Sequence, residues 1–437
     1  MSELPKGWLN ATLLELCDVK TGKVDANHAS ASGEYTFFTC ALEPLKANTY
    51  SFDGELIVLP GNGANVGHVG FYIGKIEAYQ RTYVLHNIRL ESKFLYHHLR
   101  AYWKKRNEEK QFGSATNYIK MGNFKDYVVS FPPLAEQKRI VEKLDEVLAQ
   151  VDTIKARLDG IPDLLKRFRQ SVLASAVSGK LTEEWRGGIS PKWEATVFSA
   201  ICNEITVGFV GKMKDKYTES GVLFLRSQNV RAFRFDPKNV LYISEDFHDE
   251  IRKSRLEAGD LAIVRSGAPG TTCVIPENLG KVNCSDLVIA RPSERLNPKF
   301  GCIFMNSEVA QKNVASNQVG IAQQHFNVGS MKKMPIELPS LAEQKEIVRL
   351  VDQYFAFADT IEVQVKKAQA RVDNLTQSIL AKAFRGELVA QDSNDEPADK
   401  LLERIAEARK DAEALAKAAK KAEAAKKRAA KKAAENS

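Results

Sequence analysis

Polar loops whose side chains are able to bond the edges of nucleic-acid bases occur in both halves of the sequence. In the first half these residues are Asn62, Asn65, His68, Gln80, Arg81, Asn117, Tyr118 and Lys120. In the second half they are Arg226, Gln228, Asn229, Arg265, Ser266, Gln323, Gln324 and His325. Asn and Gln bond adenine through two hydrogen bonds, and Arg does the same with guanine. Each residue also has a plain alternative role in a turn, a helix cap or a solvated loop.

Signatures of catalysis are incomplete in this chain. The loop at 61–66 lacks the third glycine of a dinucleotide-binding fingerprint, and the segment 179–182 lacks the Ser or Thr of a phosphate-binding loop. The segment Phe131-Pro132-Pro133 lacks the amide residue that opens the motif of amino-methyltransferases. The seven histidines and six cysteines show no metal-ligand spacing. We therefore expect no catalytic residue and no metal site in this chain.

Length and charge set broader limits. The 437 residues suffice for two to four domains, and they contain no long apolar run and no signal peptide at the N-terminus, so we expect a cytoplasmic protein. The net charge is +8, and the segment from Lys417 onward has eight Lys or Arg against two Glu. A mild positive charge is compatible with binding to phosphates and equally with ordinary solvated charge.

An internal repeat relates the two halves. The segment Leu134-Ala135-Glu136-Gln137-Lys138 returns unchanged as Leu341-Ala342-Glu343-Gln344-Lys345. Over 134–181 and 341–388, 19 of 48 positions are identical without a gap, at an offset of 207 residues. The period is too long for a solenoid, so the chain is a duplicated half.

Each copy of the repeat carries an apolar heptad pattern. Apolar residues recur at alternating steps of three and four from Val151 to Val172 and again from Ala358 to Ile379. The pattern predicts a helix from about Leu134 to Val177, and a second helix at the repeat. Two arrangements remain open: the helices form an antiparallel pair within the chain, or each packs on its own domain.

Glycine and proline mark the expected limits of these helices. Gly160 and Pro162 predict a kink or an interruption in the first helix, whereas the second copy has Lys367 and Gln369 there. Beyond the helices, Gly179 and Gly386 are placed as C-terminal caps, since glycine adopts the left-handed conformation easily.

The segments before the helices share an order of elements. A strand-like run at Tyr35–Phe38 matches one at Val222–Leu225, and 54–59 matches 259–264. We therefore predict an α+β protein in which two mixed α/β domains alternate with two long helices that pair as an antiparallel intramolecular coiled coil with a pseudo-two-fold repeat. The predicted segments are a first domain at 1–133, a helix region at 134–185, a second domain at 186–340, a helix region at 341–388 and a tail at 389–437.

With its entire repeated unit, the chain resembles the specificity subunit of Type I restriction-modification enzymes. The resemblance extends from Pro5 to Gly386, and its most specific elements are 133–141 and 340–348, which look like the starts of the spacer helices of that family. It implies two target-recognition domains that read the halves of a split, asymmetric site in double-stranded DNA. The tail after Gln391 is not covered by the resemblance; its Ala, Lys and Glu content fits a solvated helix, a frayed extension or a DNA-backbone contact.

The resemblance also implies partners. Two methyltransferase subunits would dock on the repeated regions, where Glu136, Gln137, Glu343 and Gln344 are the candidate docking residues, and restriction subunits would join in the full complex. S-adenosylmethionine, ATP and Mg, with the adenine-methylating chemistry, would belong to those prokaryotic partners. This chain would then bind no cofactor and would not be an enzyme by itself.

The helix length gives this interpretation a mechanical reason. A helix from 134 to 177 spans on the order of 65 Å at about 1.5 Å per residue, and DNA repeats every ~34–36 Å. Two reading domains would thus meet two major-groove segments separated by one or two turns. Two rival interpretations remain: a coiled-coil adaptor that binds only proteins, and a single-chain enzyme, for which no motif was found.

Overall fold

The computed structural model describes residues 4–108, 117–316 and 325–435. The chain divides into two compact units, of which unit 1 comprises 1–157 with 368–437 and unit 2 comprises 158–367. The division crosses both long helices, so each helix begins in one unit and ends in the other. Each unit therefore has a core made from segments on either side of its globular domain.

Two long helices, α4 and α10, occupy the segments that the repeat predicted, and nine further helices lie in the described part of the chain. In chain order the helices are α1 Leu13–Leu16, α2 Ser92–Glu108, α3 Met121–Lys125, α4 Leu134–Val177, α5 Phe198–Ile201, α6 Glu245–Glu250, α7 Pro298–Met305, α8 Glu308–Ser316, α9 Val328–Lys332, α10 Leu341–Ala383 and α11 Ala398–Glu435. None of the helices within the described part of the chain is long and apolar enough to cross a membrane.

Unit 1 contains two small sheets and an isolated pair of strands. Its strands are β1 Leu9–Thr12, β2 Asp18–Thr21, β3 Tyr35–Phe38, β4 Leu45–Ala47, β5 Glu55–Pro60, β6 Gly70–Ile73, β7 Ile76–Ala78, β8 Thr82–His86 and β9 Val128–Phe131. One sheet has the antiparallel order β2-β8-β5-β6, and the other has the order β4-β3-β7 with β3 and β7 parallel. Strand β5 is buried at every position after Glu55, as its run of apolar residues predicts.

Unit 2 repeats this plan with a larger second sheet. Its strands are β10 Glu194–Val197, β11 Cys202–Val207, β12 Tyr217–Thr218, β13 Val222–Leu225, β14 Val230–Arg231, β15 Arg234–Phe235, β16 Leu241–Ile243, β17 Arg255–Leu256, β18 Leu261–Val264, β19 Thr272–Val274, β20 Val282–Cys284, β21 Leu287–Pro292 and β22 Pro335–Leu338. The orders are β11-β21-β18-β19 and β12-β16-β13-β20-β17, and β13 and β20 are again parallel. The predicted fold class is confirmed.

The long helices pair within each unit. In unit 1 the start of α4, including Ile140 and Leu144, shares one apolar core with Leu380 and Ala383 at the end of α10. The ammonium of Lys155 lies 2.8 Å from a carboxylate oxygen of Asp373. Because the beginning of one helix packs beside the end of the other, the pair is antiparallel, as predicted.

The same arrangement occurs in unit 2 with different residues. Val172 and Leu173 near the end of α4 share a core with Ile347 and Val351 near the start of α10. The guanidinium of Arg169 lies 2.6 Å from the carboxylate of Asp359. Both ends of the helix pair are therefore embedded in a globular domain, and the apolar heptad positions supply the shared surface.

One predicted helix break is absent, and two predicted caps are present. Helix α4 continues through Gly160 and Pro162 without interruption, and both residues are exposed on its surface. Gly179 and Gly386 have φ angles of +79° and +71°. A side-chain carbon at Gly179 would approach Pro191 to 2.9 Å, and one at Gly386 would approach Pro5 to 2.8 Å. Each cap thus also allows the start of a domain to close on a helix end.

The tail begins as part of unit 1. Ala398, Leu401 and Ile405 on one side of α11 are buried in the core of that unit. Just before them, the guanidinium of Arg139 bonds both carboxylate oxygens of Asp395, at 3.1 and 2.6 Å. The first two turns of the tail helix are therefore fixed to the protein, which favours a helical tail over a frayed extension.

Candidate nucleic-acid interface

Three of the predicted loops of unit 1 meet at the end of strand β5. The amide of Ile119 donates to the carbonyl of Gly61, and the amide of Gly63 donates to that of Asn117, at 3.0 and 2.8 Å. The amide of Gly61 in turn donates to the carbonyl of Arg81 at 2.9 Å. Backbone hydrogen bonds thus bring the segments carrying Asn62, Arg81 and Tyr118 to one place.

Several side chains at this place lie on the protein surface. Asn117, Arg81 and Lys120 are exposed, and the ammonium of Lys120 lies 5.4 Å from the ring centre of Tyr118. Arg81 forms no ion pair within the described part of the chain, whereas the amide of Gln80 donates to Asp25 at 2.6 Å. Exposed cations and amides of this kind are suited to hydrogen bonds with base edges and phosphates.

Asn65 and His68 lie in the same loop but have different surroundings. The Asn65 amide donates to the carbonyl of Cys40 at 2.8 Å, so it holds the loop shape. His68 is exposed, and its loss of hydration together with the positive charge of Arg100 lowers the pKa of its imidazole. The neutral ring therefore predominates at pH 7.

The corresponding place in unit 2 gathers a different set of groups. Ser266 lies 2.6 Å from Nδ1 of His325 and donates to Asp286 at 3.2 Å, while Arg265 donates to the same carboxylate at 2.8 Å. The amide of Phe326 donates to the carbonyl of Arg265, at 3.1 Å, as Ile119 does to Gly61 in unit 1. The structure thus brings Arg265, Ser266 and His325 together.

Asp286 is a residue of this site that the sequence analysis missed. Its backbone has a φ of +52°, which is unusual for a residue other than glycine. Its carboxylate bonds both Arg265 and Ser266 and so fixes their positions. The turn before the apolar run of β21 is the signal that marks it, since Asp tolerates the left-handed conformation in turns.

The loop at 226–229 forms a second group in unit 2. Arg226 and Gln228 both donate to the carbonyl of Asn239, at 3.0 and 3.2 Å. Asn229 is fully buried, and its amide donates to the carbonyls of Asp236 and Lys238. A base contact by Asn229 would break these bonds, so the structure assigns its side chain to holding the loop.

The two groups of unit 2 border one cleft. Gln228, Arg231 and Ser266 are among the residues that line this space of about 410 Å³. Gln323 and Gln324, which were also predicted to contact DNA, lie outside the described residues. The remaining candidates stay predictions, with the loop geometry now defined.

Five of the six cysteines are unsuited to nucleophilic chemistry. Burial raises the pKa of Cys17, Cys202 and Cys273 to about 12, and it raises the pKa of Cys284 and Cys302 as well. Within the described ranges, no group of three or more His, Cys, Asp or Glu side chains is placed to hold a metal ion. The chemistry that these loops offer is hydrogen bonding and charge.

The repeated Glu-Gln pair has a different role from the predicted one. In unit 1, Glu136 is 2 % exposed and accepts a hydrogen bond from the indole of Trp8 at 3.1 Å. Gln137 is fully buried, accepts from the amide of Glu91 and donates to the carbonyl of Pro132, both at 2.9 Å. These side chains fasten the first turn of α4 to its own domain.

Unit 2 repeats these bonds at the start of α10. Glu343 accepts from the indole of Trp193 at 3.0 Å and also bonds Thr182 and Arg186. Gln344 accepts from the amide of Asn297 at 2.7 Å and donates to the carbonyl of Pro339 at 2.8 Å.

The prediction that Glu136, Gln137, Glu343 and Gln344 form a docking surface is corrected by these contacts. All four residues are at most 5 % exposed, and each side chain forms at least one hydrogen bond within the protein. A helix N-terminus buried against a domain needs such partners for its free backbone and side-chain groups.

Comparison with known proteins gives one consistent result. The sequence profile described as "Type I restriction modification DNA specificity domain" matches residues 5–163 and 205–369. The EcoDI specificity subunit of a Type I restriction enzyme from Escherichia coli is 35% identical over 440 residues, covering 93% of this chain and 96% of that protein. The EcoKI specificity subunit from Escherichia coli strain K12 is 41% identical over 318 residues, covering 68% and 67%.

Solved structures are similar in fold at low sequence identity. A chain from a structure describing complex assembly and conformational transition of the type I R-M system has a TM-score of 0.64 at 16% identity. It covers 89% of this chain and 100% of that chain. The crystal structure of the HsdS subunit from Thermoanaerobacter tengcongensis has a TM-score of 0.54 at 18% identity, covering 88% and 98%.

Proposed function

Since the chain belongs to the family of Type I restriction-modification specificity subunits, we propose that it reads a bipartite, asymmetric site in double-stranded DNA. Each unit reads one half. The observation that supports this proposal most directly is that the same two backbone segments meet in both units while the side chains on them differ. Asn62 and Tyr118 occupy in unit 1 the place that Ser266 and His325 occupy in unit 2.

This difference favours two unlike half-sites. The groups at this place in unit 1 are amides, a phenol and cations, whereas unit 2 has a hydroxyl, an imidazole and an arginine oriented by Asp286. Base edges in the major groove carry distinct patterns of donors and acceptors, so different side chains select different bases. A palindromic site would instead be expected from two identical reading surfaces.

The long helices determine the unread spacer in this proposal. Helices α4 and α10 have 44 and 43 residues, and each runs from one unit to the other. A change in their length would therefore alter the separation of the half-sites and leave the half-sites themselves unchanged. Insertion of matched segments into both helices, followed by mapping of the methylated sites, tests this part.

Catalysis belongs to partners in this proposal. Two methyltransferase subunits dock on the helical regions, and restriction subunits join in the full complex; S-adenosylmethionine, ATP and Mg bind to those subunits, and this chain does not catalyse. Exposed apolar side chains on the helices support docking there, since Leu164, Phe357 and Val363 are 58%, 59% and 52% exposed.

The decisive experiment maps methylated adenines in cells that carry this chain with its methyltransferase partner. The expected motif has two specified parts separated by bases that are not read. In a second arm, Arg265→Gln changes the base preference in one part alone, and Arg81→Gln changes it in the other.

A single continuous motif would contradict the proposal that each unit reads one half of the site. Footprinting of the purified complex supplies the matching control, with two protected patches and an exposed gap. Absence of any protection, with assembly intact, would favour a coiled-coil adaptor that binds only proteins.

A further inference from the structure

A cleft of about 840 Å³ in unit 1 is lined by several basic side chains. Arg100 and Lys104 lie one turn apart on α2, and Lys105 and His68 border the same space. None of the three cations Arg100, Lys104 and Lys105 has an ion pair among the residues that the structure describes. Glu108 also lines the cleft, so its positive charges outnumber its negative one.

Arg100 is held in place by an aromatic ring and is not neutralised by it. The guanidinium of Arg100 lies 5.4 Å from the ring centre of Tyr96, one turn earlier on α2, and the Tyr96 ring packs against Phe71. Like charges at positions i and i+4 destabilise a helix, so Arg100 and Lys104 oppose each other in the free protein. An anion between them would remove that repulsion.

The cleft also adjoins the loop that carries the predicted base contacts. Gly67 has a φ of +100°, and a side-chain carbon there would lie 3.0 Å from Cγ of Lys104. The loop at 61–68 therefore approaches α2 closely enough for one ligand to touch both. The lowered pKa of His68 reports the same proximity, because the charge of Arg100 contributes to it.

Unit 2 has neutral residues at the corresponding positions. Lys93 in α2 pairs with Asp145 as Lys299 in α7 pairs with Asp352, so the starts of these two helices align at an offset of 206 residues. Arg100 and Lys104 therefore correspond to Asn306 and Ala310. Asn306 donates to the carbonyls of Thr272 and Cys302, both at 2.8 Å, and Ala310 is fully buried. Neither residue carries a charge, so unit 2 has no counterpart of the Arg100 and Lys104 pair at these positions.

We propose that the cleft of Arg100, Lys104 and Lys105 binds backbone phosphates of DNA beside the half-site that unit 1 reads, and that unit 2 lacks an equivalent contact. This inference rests on the proposed function and deepens it. Unit 1 anchors the DNA through charge, whereas unit 2 relies more on its base contacts. Phosphate contacts fix register and orientation without selecting sequence.

The test measures the salt dependence of DNA binding by the full-length chain in complex with its methyltransferase subunits. In the double variant Arg100→Gln and Lys104→Gln, the slope of log K against log salt is expected to become shallower by about 2, since each lost phosphate contact changes it by roughly 1. The recognised sequence is expected to stay the same. Lys20→Gln with Lys46→Gln is the matched control, because both residues are exposed in unit 1 and the change in net charge is equal.

A second arm locates the contact on the DNA. Single methylphosphonate substitutions remove the charge of one phosphate at a time, and those beside the unit 1 half-site are expected to weaken the unmodified complex but not the double variant. Arg100→Lys with Lys104→Arg retains the charge and is expected to restore the slope, which separates loss of charge from misfolding.

Two results would overturn the inference: a double variant with the slope of the control, or one with a changed base preference and an unchanged slope. Failure of the proposed function is a separate outcome, since the unmodified complex would then bind no specific site at all.

Discussion

The two junctions between domain and helix have the same five-residue sequence, but the charge of the buried glutamate is compensated differently in each. Glu136 and Glu343 accept an indole hydrogen bond in the same way, from Trp8 and Trp193. Glu343 also bonds the guanidinium of Arg186. In unit 1 burial raises the pKa of Glu136, with the indole and the charge of Arg139 only partly opposing it. An exact sequence repeat therefore preserves geometry without preserving electrostatics.

The difference originates in the segments that follow the two long helices. Arg186 lies in the turn after α4. Its guanidinium donates to the carbonyl of Gly179 at 2.6 Å and also bonds the carboxylate of Glu343. After α10, the segment supplies Asp395 instead, which takes Arg139 as its partner. Both glutamates thus accept an indole hydrogen bond, but only Glu343 also bonds an arginine from the linker that follows a long helix.

The largest expected effect comes from removing the guanidinium in unit 2. Arg186→Met leaves Glu343 buried without its counterion, which is expected to lower the free energy of unfolding of unit 2 by about 3–5 kcal/mol. Arg139→Met in unit 1 breaks a more exposed pair and is expected to cost about 1 kcal/mol or less. Hydrogen exchange of peptides from each unit in increasing urea measures both values, and equal losses would contradict the comparison.

Replacing the tryptophan at each junction is expected to cost more stability in unit 1 than in unit 2. Trp8→Phe removes the side-chain hydrogen bond to Glu136 and is expected to cost about 2 kcal/mol. Trp193→Phe leaves Glu343 its bonds to Thr182 and Arg186, so a loss near 1 kcal/mol is expected. The same exchange measurement applies, and a larger loss for Trp193→Phe would show that Arg186 does not compensate.

The smallest expected effect comes from replacing the repeated glutamate with glutamine, and the change in stability has opposite signs in the two units. The raised pKa of Glu136 means that its carboxyl is protonated more readily in the folded than in the unfolded chain, where it titrates near 4.5. Its ionisation therefore lowers stability at pH 7, and this penalty fades as pH falls toward 4.5. Glu136→Gln is expected to raise the stability of unit 1 by roughly 1 kcal/mol or less at pH 7, with the gain shrinking at lower pH.

Glu343→Gln provides the contrast at pH 7, because it deprives Arg186 of its counterion and is expected to destabilise unit 2. Unfolding measured between pH 5 and pH 8 distinguishes the two variants. A loss of stability in both would show that Glu136 is as well compensated as Glu343.

Much of the fold was predictable because it depends on local patterns. The apolar heptads and the repeated Leu134 and Leu341 marked both helix starts, since side chains three and four residues apart share a helix face. Gly160 and Pro162 were expected to kink or interrupt α4, and the helix is not interrupted there. Pro162 is exposed, so its ring displaces no core residue, while Leu165 nearby is buried and packs the helix in place.

The site was less predictable because its contacts join distant parts of the chain. Glu136 meets Trp8 across 128 residues, and nothing in a five-residue motif shows that its side chain turns inward. Asn229 illustrates a second limit, since residue type predicts an amide but not whether that amide reaches solvent. Arg100 and Lys104 carried a visible signal, a basic pair one helical turn apart, whose meaning required the loop beside it.

The division of the long helices also has a consequence for how the protein is made. Unit 2 is one continuous stretch, 158–367, so its residues emerge from the ribosome in one uninterrupted run. The core of unit 1 joins Trp8 and Phe94 to Phe384 and Leu401, so it closes a loop of nearly the whole chain. Closing long loops costs chain entropy and slows folding. The domain that is synthesised first is therefore the last to be completed, and it must wait for the C-terminal residues of the same molecule.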